Sequence, residues 1–548
     1  MNSPLFSFLN PSNWFSSTER PGDRLRFPSS TIGLIIVIAL VNVALYHRPL
    51  YSFAVDNLNG YTANSILTLI TLTVVVFVVT TLLFSLLVLP THKLLKPIGV
   101  LMFLANSVAL YFVETYQVVI DKSMVGNVFN TNVSEASGFL HPKLLLYVAV
   151  FGLLPSVLLL KKRFNKTSRL RLTLFAFLIV FTGFGWIYFA SSTWLWIDKN
   201  AKKLGGMILP WSYVINTVRY QSSLLARSRE QILLPPATFT SNGKTVVILV
   251  IGESARAQNF SLYGYERLTN PLLAKDGAIA LKDTVSCSTY TTASLNCILS
   301  YDGSSSVFSD PYEPLPSYLQ RHGVDVIWRS RNWGEPPMKI QTYERDTAIK
   351  KRCKDSEVCE GDEVLLSGLS QRIQSSKSEK VFVVLHQKGS HGPDYYKKYP
   401  QRFELYQPVC QSVELNQCTN DELVNAYDNT ILYTDYLLDR VIKLLGKLEN
   451  VPTLMMYISD HGESLGEHGL YLHGTPYTIA PDVQKEIPFI VWMSPDFVKK
   501  EGVSAIELGQ QSSHTQANVF HSVMGAFDVQ SEVYDPSLDI FSGGSKAE

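Results

Sequence analysis

Acidic and histidine side chains are concentrated just after an apolar run in the last quarter of the chain. The run Leu454–Ile458 predicts a buried strand, and Asp460 and His461 follow where that strand should end. Gly462 allows the backbone to turn, so that both side chains can reach one ion. Further residues of the same kinds follow within one short stretch: Glu463, Glu467, His468 and His473. Carboxylate oxygen with imidazole nitrogen suits zinc or manganese. The interpretation is a metal site, and the alternative is a solvated polar loop.

Two more predicted strands end in side chains that suit a metal ion or a phosphate. The apolar run Thr245–Ile251 is followed by Glu253, and the run Val381–His386 is followed by His391. The carboxyl ends of parallel strands meet at one edge of a sheet, which is where ligands bind. We therefore expect Glu253 and His391 to lie near Asp460. Taken alone, Glu253 would be a surface or helix-start acid, and His391 a structural histidine.

A hydroxyl-rich segment between Cys287 and Cys297 offers a nucleophile. An alcohol is a weak nucleophile at neutral pH, and a metal ion activates it by binding and deprotonating it. If Thr291 lies near the start of a helix, backbone N–H groups and the helix dipole favour an attacked phosphate there. A helix-capping cluster is the alternative. The residue types alone leave five candidates open: Ser288, Thr289, Thr291, Thr292 and Ser294.

The elements that would position these side chains recur through the second half of the chain. Further apolar runs lie at Val324–Trp328 and Phe489–Met493, and apolar residues between 423 and 445 recur at helical spacing. Strands that alternate with helices predict a parallel α/β sheet. We therefore predict an α/β domain over residues 244–548.

The first part of the chain has a different composition. Nearly all long apolar runs lie before residue 191, although the whole chain of 548 residues is only 46% hydrophobic. A membrane span needs about 20 apolar residues. The first run is longer than a signal-peptide core and lacks a small-residue cleavage site, so we expect it to be retained. Residues 1–190 are predicted to form five spans, of which the first and third are short: Thr31–Tyr46, Leu67–Leu89, Ile98–Val113, Lys143–Leu160 and Leu172–Ala190.

Basic residues indicate the orientation of these spans. They lie in the N-terminal segment, between spans two and three, and between spans four and five: Arg20, Arg24, Arg26, Lys93, Lys96, Lys161, Lys162, Arg163, Lys166, Arg169 and Arg171. Lys and Arg mark the cytoplasmic side of a membrane. Five spans then place everything after residue 190 outside the cytoplasm.

The cysteines agree with that orientation. All six lie after residue 286, and local pairing is the simplest of the fifteen connectivities that six cysteines allow. No pair has zinc-finger spacing. Disulfides indicate an oxidising compartment, whereas free thiols in a cytosolic enzyme are the alternative. The predicted pairs are Cys287 with Cys297, Cys353 with Cys359, and Cys410 with Cys418.

Two segments on the predicted outer side have the composition of a membrane surface. Residues 114–142 begin with Glu114, and residues 191–243 combine aromatic and basic side chains with a linker that contains proline and glycine. Such side chains suit the lipid headgroup layer. These segments either help to admit a lipid or simply anchor the chain. The net charge of +1 gives no indication of nucleic-acid binding.

Taken together, these motifs resemble the bacterial phosphoethanolamine transferases of the lipid A type, the family that includes the mobile colistin-resistance enzymes. The resemblance covers essentially the whole chain, including the five spans. Its motifs are Gly252-Glu253-Ser254-Ala255-Arg256, the Cys287–Cys297 segment with Thr291, Gly389-Ser390-His391-Gly392-Pro393, Ser459-Asp460-His461-Gly462-Glu463-Ser464-Leu465-Gly466 and Leu472-His473-Gly474-Thr475-Pro476.

The resemblance implies a fold and a set of site residues. The fold would be a five-helix membrane domain followed by an alkaline-phosphatase/sulfatase-like domain in the periplasm, anchored in the bacterial inner membrane. Thr291 would be the nucleophile. Zn²⁺ would be held by Glu253, Thr291, Asp460 and His461. The transferred phosphate or a second zinc ion would be contacted by His391, His473 and Glu463, and Glu114 matches an acidic family residue outside the third span.

One departure from the family concerns a lysine that many relatives carry after the strand that ends here at Trp328. This chain has Arg329, Arg331 and Lys339 in that stretch. The resemblance leaves open which of these basic residues takes the role.

The mechanism implied by the resemblance is a two-step transfer. Thr291 would attack phosphatidylethanolamine and release diacylglycerol, and a phosphate or sugar of lipid A would then accept phosphoethanolamine. One of His391, His473 or Glu463 would be the general base. Masking phosphate charge would give resistance to cationic peptides such as polymyxin. The protein is expected to act as a monomer.

Three other functions fit parts of the sequence. A lipoteichoic-acid-synthase-like glycerol-phosphate transferase would share the spans and the threonine, but the cysteine pairs and the motifs around His391 and His473 argue against it. A sulfatase needs a Cys/Ser-x-Pro-x-Arg setting, which does not surround Thr291. A non-catalytic membrane sensor predicts lost ligands, yet every expected primary ligand is present.

Overall fold

The computed structural model describes residues 30–58, 60, 62–130, 141–227, 231–303, 312–353, 359–413, 415–511 and 513–542. Arg20, Arg24 and Arg26 lie outside the described residues. By packing, the chain forms two units. The first contains the described residues of Met1–Thr115, Val119–Asp121 and Leu140–Asn216, and the second those of Tyr116–Val118, Lys122–Phe139 and Thr217–Glu548. The limits at residues 190 and 243 were drawn from composition rather than packing, and they stay predictions.

The described residues up to 227 are mostly helical. The helices are α1 (Thr31–Tyr46), α2 (Arg48–Asn57), α3 (Ala63–Val88), α4 (Leu95–Tyr116), α5 (Lys122–Asn130), α6 (Pro142–Tyr147), α7 (Leu154–Lys161), α8 (Arg169–Phe189), α9 (Trp194–Lys199), α10 (Ala201–Met207) and α11 (Trp211–Arg227), with a π-helical turn at Val148–Leu153 between α6 and α7.

Among the described residues, four helical stretches are long and apolar enough to cross a membrane: Ala63–Val88, His92–Tyr116, Pro142–Lys161 and Arg169–Phe189. The pair α1 and α2, bent by 58°, makes a fifth span if it is counted as one. The 16 residues of α1 extend only about 24 Å at the helical rise, short of the roughly 30 Å hydrocarbon core. These helices confirm the predicted helical membrane domain, and α4 extends the short third run to 22 residues.

Two threonine hydroxyls on the buried face of α3 are paired inside the helix itself. Thr68 donates to the carbonyl of Asn64 at 2.8 Å, and Thr71 donates to that of Leu67 at 2.7 Å. A polar group in hydrocarbon must find an internal partner. Bonding to the preceding turn allows threonine to pack against neighbouring helices at little cost.

The second unit is built on a sheet of seven strands. Its strands are β2 (Thr245–Gly252), β3 (Ile279–Leu281), β4 (Asp325–Ser330), β5 (Thr342–Arg345), β6 (Lys380–His386), β7 (Thr453–Ser459) and β10 (Phe489–Met493), in the order β3-β10-β7-β2-β6-β4-β5. Two small two-stranded sheets pair β1 (Thr238–Phe239) with β11 (Val529–Gln530), and β8 (Ser464–Leu465) with β9 (Tyr471–Leu472).

The helices of this unit lie between and around the strands. They are α12 (Pro271–Lys275), α13 (Thr291–Leu299), α14 (Leu315–Arg321), α15 (Asp346–Lys350), α16 (Leu369–Gln374), α17 (Asn420–Leu445), α18 (Pro495–Glu501), α19 (Ala505–Gln510) and α20 (Asn518–Ala526). The longest, α17, begins with a capping box in which Thr419 accepts from the N–H of Glu422 and the Glu422 carboxylate accepts from that of Thr419. Tyr427 and Ile431 are buried on the face predicted from the apolar spacing.

The sheet confirms the predicted α/β fold, with one difference in strand direction. The strands β2, β4, β6 and β7 run parallel, as expected. The run Phe489–Met493 forms β10, which is antiparallel to β7. A parallel return needs a crossover, usually a helix. Among the described residues that join β7 to β10, the structure has only the β8–β9 hairpin and short 3₁₀ turns. The connection therefore turns back without crossing the sheet.

The central strands form the core of this unit. All residues of β2, β6 and β7 are buried, which is typical of parallel strands covered on both faces. Disulfides join Cys287 to Cys297, Cys353 to Cys359 and Cys410 to Cys418. The first of these links the segment before α13 to the body of that helix.

Candidate active site

Four chain segments bring candidate side chains to the carboxyl edge of the central sheet. Strands β2 and β7 are neighbours, with Gly252 paired to Ser459, so the residues that follow them leave the sheet side by side. Strand β6 lies on the other side of β2 and leads into the segment with His391. The fourth segment is α13, which begins at Thr291. The strand ends therefore converge where a parallel sheet places its ligand site.

Thr291 lies at the N-terminal end of α13 and faces two of the predicted metal ligands. Its Oγ1 donates to Oε2 of Glu253 at 3.1 Å and lies 3.5 Å from Nε2 of His461. As the first helical residue, it stands beside unpaired backbone N–H groups, which together with the helix dipole favour an anion. An alcohol held between a carboxylate and an imidazole at such a position is arranged to attack a phosphate.

The other hydroxyls of this segment are arranged differently. Thr289 Oγ1 donates to the carbonyl of Thr475 at 2.6 Å, and Ser294 Oγ donates to the carbonyl of Ser288 at 3.4 Å. Ser288 itself is buried. Of the five candidates, Thr291 is the one whose hydroxyl the structure places against Glu253.

Glu253 is fully buried, and each of its carboxylate oxygens has polar neighbours. Oε1 accepts from Ser254 Oγ at 2.8 Å and lies 3.3 Å from Nε2 of His461. Oε2 accepts from Asn332 Nδ2 at 2.6 Å as well as from Thr291. These contacts fix the plane of the carboxylate, so that it presents one edge to the nucleophile.

The charges around Glu253 are strongly coupled. Burial opposes ionisation of Glu253, but its hydrogen bond to His461 and the charge of that imidazole hold its pKa well below the usual range. Burial and the nearby charge of Glu253 raise the pKa of Asp460 well above its ordinary value. Burial lowers the pKa of His461, but the charge of Asp460 and the hydrogen bond to Glu253 raise it to about 10. Two buried carboxyl groups at one imidazole form a site that attracts a cation.

The donor atoms also have the geometry for a metal ion. One atom from each of Glu253, His461 and His473 lies within 4.8 Å of the other two. Asp460 Oδ2 is buried 3.3 Å from His461 Nε2 and has no hydrogen-bond partner among the described residues. The Nδ1 atom of His461 contacts the carbonyl of Gly462 at 2.9 Å, which leaves Nε2 to face the acids. An orphaned carboxylate oxygen beside oriented nitrogen and oxygen donors fits a divalent ion.

A second polar group borders the first. Glu463 is buried, with Oε2 lying 2.7 Å from His473 Nδ1 and Oε1 accepting from Tyr395 OH at 2.5 Å. Ser254 Oγ lies 3.3 Å from the same His473 nitrogen, which connects this group to Glu253. The imidazole of His473 is 4.1 Å from that of His461 between ring centroids. Glu463 is therefore next to the candidate metal position, and His473 belongs to both groups.

His391 borders the site on the side of β6. Its ring lies 5.5 Å from that of His473 between centroids, and its Nδ1 contacts the carbonyl of Gly392 at 2.8 Å. Burial first, and then the charge of Lys388, hold the pKa of His391 well below its ordinary value. His391 is therefore a neutral imidazole beside His473.

The stretch after β4 contributes an amide to the site, and the three basic residues considered there lie elsewhere. Lys339 is exposed, Arg331 pairs with Asp362 at 2.9 Å, and Arg329 pairs with Glu344 at 2.9 Å. Asn332, which the sequence analysis missed, donates directly to Glu253. It lies just beyond the end of β4, so the rule that located Glu253 and Asp460 applies to it as well.

Three further candidates occupy different places. Glu467 pairs with Arg256 at 2.5 Å rather than with the metal-site donors, and His468 is exposed. Glu114 lies in the first unit, where its Oε2 accepts from Tyr147 OH at 2.5 Å. The predicted role of Glu114 stays a prediction.

Comparisons with known proteins find relatives over most of the chain. A family model described as Sulfatase matches residues 245–529, and one described as Phosphoethanolamine transferase EptA/EptB matches residues 76–224. Phosphoethanolamine transferase EptA of Helicobacter pylori is 40% identical over 525 residues, covering 94% of this chain and 98% of that protein. Phosphatidylethanolamine transferase Mcr-1 of Escherichia coli is 29% identical over 526 residues, covering 91% and 94%.

A solved structure is similar over both units. It is the integral membrane protein lipooligosaccharide phosphoethanolamine transferase A of Neisseria meningitidis, with a TM-score of 0.85 and 28% identity. The match covers 93% of this chain and 98% of that one. The similarity therefore includes the helical first unit as well as the sheet that carries the candidate site.

Proposed function

The chain belongs to the phosphoethanolamine transferase family, and on that premise we propose that it moves phosphoethanolamine from phosphatidylethanolamine to lipid A. The names of its relatives support phosphoethanolamine as the transferred group and phosphatidylethanolamine as the donor. The observation that carries the proposal is the contact of Thr291 with Glu253 and His461 at the start of α13. We propose Thr291 as the nucleophile and Glu253, Thr291, Asp460 and His461 as the ligands of Zn²⁺.

The first step transfers the group to the protein. Zn²⁺, when bound, would lower the pKa of the threonine hydroxyl and neutralise charge on the phosphate. Thr291 Oγ1 forms a bond to phosphorus, and the bond from phosphorus to the glycerol oxygen breaks. Diacylglycerol leaves with a proton, and a phosphoethanolamine-threonine remains. The N–H groups at the start of α13 stabilise the phosphate oxygens through both steps.

The second step transfers the group to the acceptor. A phosphate oxygen of lipid A loses its proton to a base and attacks phosphorus, and Thr291 Oγ1 leaves and takes up a proton, which restores the hydroxyl. His391, His473 and Glu463 are the candidate bases, because His473 shares the candidate metal site with Glu253 and His461 and the other two contact His473. His391 is neutral, which is the form of imidazole that accepts a proton, and Glu463 orients the ring of His473.

The membrane unit fits substrates that are themselves lipids. We infer that the spans anchor the protein in the bacterial inner membrane, with the sheet-bearing unit in the periplasm, where disulfides persist. The protein is proposed to work as a monomer. Masking a lipid A phosphate with an ethanolamine cation lowers the negative charge of the cell surface. Cationic peptides such as polymyxin then bind more weakly.

The test is transfer by the purified full-length protein loaded with Zn²⁺ in lipid nanodiscs. Phosphatidylethanolamine and lipid A are supplied, and lipid products are analysed by mass spectrometry. The proposal expects phosphoethanolamine-modified lipid A and diacylglycerol in equal amounts. Transfer from phosphatidylglycerol instead would indicate a glycerol-phosphate transferase. Full metal loading without any lipid product would favour the sensor interpretation.

Gly389 offers a test of how closely the site is packed, because it combines a φ of +51° with contact to Glu253. A Cβ at this position would lie 2.8 Å from the carbonyl oxygen and 3.0 Å from the nitrogen of Glu253. We expect Gly389→Ala to lower transfer by about 10²-fold, the typical loss when a reacting group is displaced. The measurement is the initial rate of phosphoethanolamine transfer.

The matched control for this substitution is Gly277→Ala. Gly277 also has a positive φ, of +72°, but nothing lies within 4 Å of an added Cβ. Both variants should lose roughly 1–2 kcal/mol of stability in urea unfolding, because alanine is strained in the left-handed region. Gly389→Ala should lose more, because its Cβ also meets backbone atoms of Glu253. Only Gly389→Ala should lose activity. Equal activity in the two variants would contradict the close approach to Glu253.

A further inference from the structure

The side chains of Glu463 and His473 are carried by the two ends of one short hairpin. Its strands, β8 and β9, contain two residues each and are antiparallel. Glu463 immediately precedes β8, and His473 immediately follows β9. So short a hairpin has little stability of its own. The position of both side chains therefore depends on what holds the hairpin.

One buried arginine holds the hairpin from the side of the sheet. Arg256 Nη1 donates to Oε1 of Glu467 at 2.5 Å and to the carbonyl of Glu463 at 3.3 Å. The second oxygen of Glu467 accepts from the N–H of Leu465 at 2.7 Å. Glu467 thus joins the turn of the hairpin to its first strand, and Arg256 joins both to the body of the unit.

Arg256 is itself fixed by its surroundings. Its Nε donates to Oδ1 of Asn259 at 2.5 Å, and its backbone N–H donates to Tyr427 OH at 3.0 Å. Its guanidinium lies 5.7 Å from the centroid of the Tyr427 ring. Arg256 and Glu253 lie in the same turn after β2. Through Arg256, the position of the hairpin is therefore fixed relative to Glu253, which contacts Thr291.

We propose that Arg256 and Glu467 are positioning residues that hold the Glu463–His473 pair beside Thr291. This inference rests on the proposed transfer for its kinetic test, although its structural part stands alone. Neither residue touches the reacting atoms. Their ion pair is partly protected from water, with 9% of the Arg256 side chain and 33% of that of Glu467 exposed. A guanidinium–carboxylate pair that is partly protected from water holds both side chains in a defined orientation.

The ionisation of Glu467 supports this arrangement. Burial opposes its charge, but the nearby guanidinium of Arg256 outweighs that effect and holds the pKa of Glu467 below its usual range. The pair is therefore charged at neutral pH. Replacement of Glu467 by glutamine keeps the size of the side chain and removes both the charge and one of the two acceptor oxygens.

The kinetic test compares Glu467→Gln with Glu344→Gln in the full-length protein. Glu344 forms a similar pair with buried Arg329 at 2.9 Å, and it lies within β5 rather than in the hairpin. We expect Glu467→Gln to lower kcat about 10- to 100-fold, as loss of supporting contacts typically does. KM for phosphatidylethanolamine should change less than about threefold, since the pair acts on the transition state. A loss no larger than that of Glu344→Gln would overturn the proposal.

A double substitution, His473→Ala with Glu467→Gln, tests whether Glu467 acts through His473. In a His473→Ala background, adding Glu467→Gln should have little further effect, because the group that it positions is already gone. An undiminished loss in that background would show that Glu467 acts by another route.

Hydrogen exchange provides a readout that needs no turnover. The N–H groups of Leu465 and Gly466 are bonded within the hairpin, the first to Glu467 itself. In Glu467→Gln they should exchange on the order of tenfold faster, with no change in α17. Unchanged exchange at Leu465 would overturn the positioning role. A wild-type protein that transfers nothing would refute only the proposed function, and the exchange result would still decide this inference.

Discussion

Thr291→Ala is expected to abolish phosphoethanolamine transfer, with a loss of at least about 10⁴-fold, which is typical of removing a nucleophile. Thr291 Oγ1 is the hydroxyl that contacts both Glu253 and His461. Without it, phosphatidylethanolamine has no protein group to attack its phosphorus. The measurement is mass spectrometry of the peptide carrying residue 291 after incubation with the donor lipid alone.

The covalent step separates this prediction from a simple loss of binding. Wild-type protein should carry phosphoethanolamine on the Thr291 peptide when no acceptor is present. Thr291→Ser keeps a hydroxyl and should form the adduct at a reduced rate, because serine lacks the methyl group that restricts its rotamer. Thr292→Ala, one residue further along α13, is the control and should retain the adduct. An adduct that persists in Thr291→Ala would place the nucleophile elsewhere.

The strand-end rule recovered much of the candidate site from the sequence. Glu253, His391, Asp460 and His461 were each identified because a buried apolar run stopped just before them. The structure places all four at one edge of the sheet, since β7, β2 and β6 are adjacent. Periodicity and burial suffice here, because the carboxyl ends of neighbouring parallel strands must coincide in space.

The positions of the apolar runs did not predict which way each side chain points. Residue types left five hydroxyls open, and the choice of Thr291 came from the resemblance to a family. In the structure, Thr289 and Ser294 donate to backbone carbonyls, whereas Thr291 faces Glu253. Asn332 was missed because an amide after a strand is common and has no charge that marks it. Rotamers and tertiary contacts decide such cases.

In the hairpin, residue types alone suggested more metal-site residues than the structure brings together. Glu463, Glu467, His468 and His473 have the same kinds of donor atoms, and spacing alone does not separate them. The structure pairs Glu463 with His473, turns Glu467 toward Arg256 and leaves His468 exposed. The direction of β10 was likewise unpredictable from its apolar run, because it depends on the length and path of the connection that precedes it.

Asp460→Asn should remove the metal while leaving the fold in place. Oδ1 of Asp460 accepts from the N–H groups of Ser254 at 3.0 Å and His461 at 2.7 Å. Asparagine retains an oxygen for both bonds. The buried, unpartnered Oδ2 becomes an NH₂ group, which has no lone pair to offer a cation. We expect loss of bound Zn²⁺ and a fall in transfer on the order of 10³-fold, since a metal ion supplies several kcal/mol of charge stabilisation.

Thermal unfolding with and without Zn²⁺ tests this substitution separately from turnover. A ligand that binds only the folded state raises its stability by mass action, so wild-type protein should show a Tm that rises with Zn²⁺. That rise should vanish in Asp460→Asn. The metal-free variant should be at least as stable as metal-free wild type, because a buried carboxylate beside Glu253 costs free energy that the neutral amide avoids.

Asp435→Asn is the matched control for this prediction. Asp435 is also buried, and burial raises its pKa to about 7, but its oxygens accept from the N–H groups of Leu272 and Leu273 at 3.0 Å each. Asparagine there sets an NH₂ group against an N–H, so this variant should lose roughly 1–3 kcal/mol of stability and keep its Zn²⁺. Metal content by mass spectrometry then gives the answer. Full Zn²⁺ occupancy in Asp460→Asn would show that Asp460 is not a ligand. Loss of Zn²⁺ from Asp460→Asn but not from Asp435→Asn would identify Asp460 Oδ2 as a ligand of the ion.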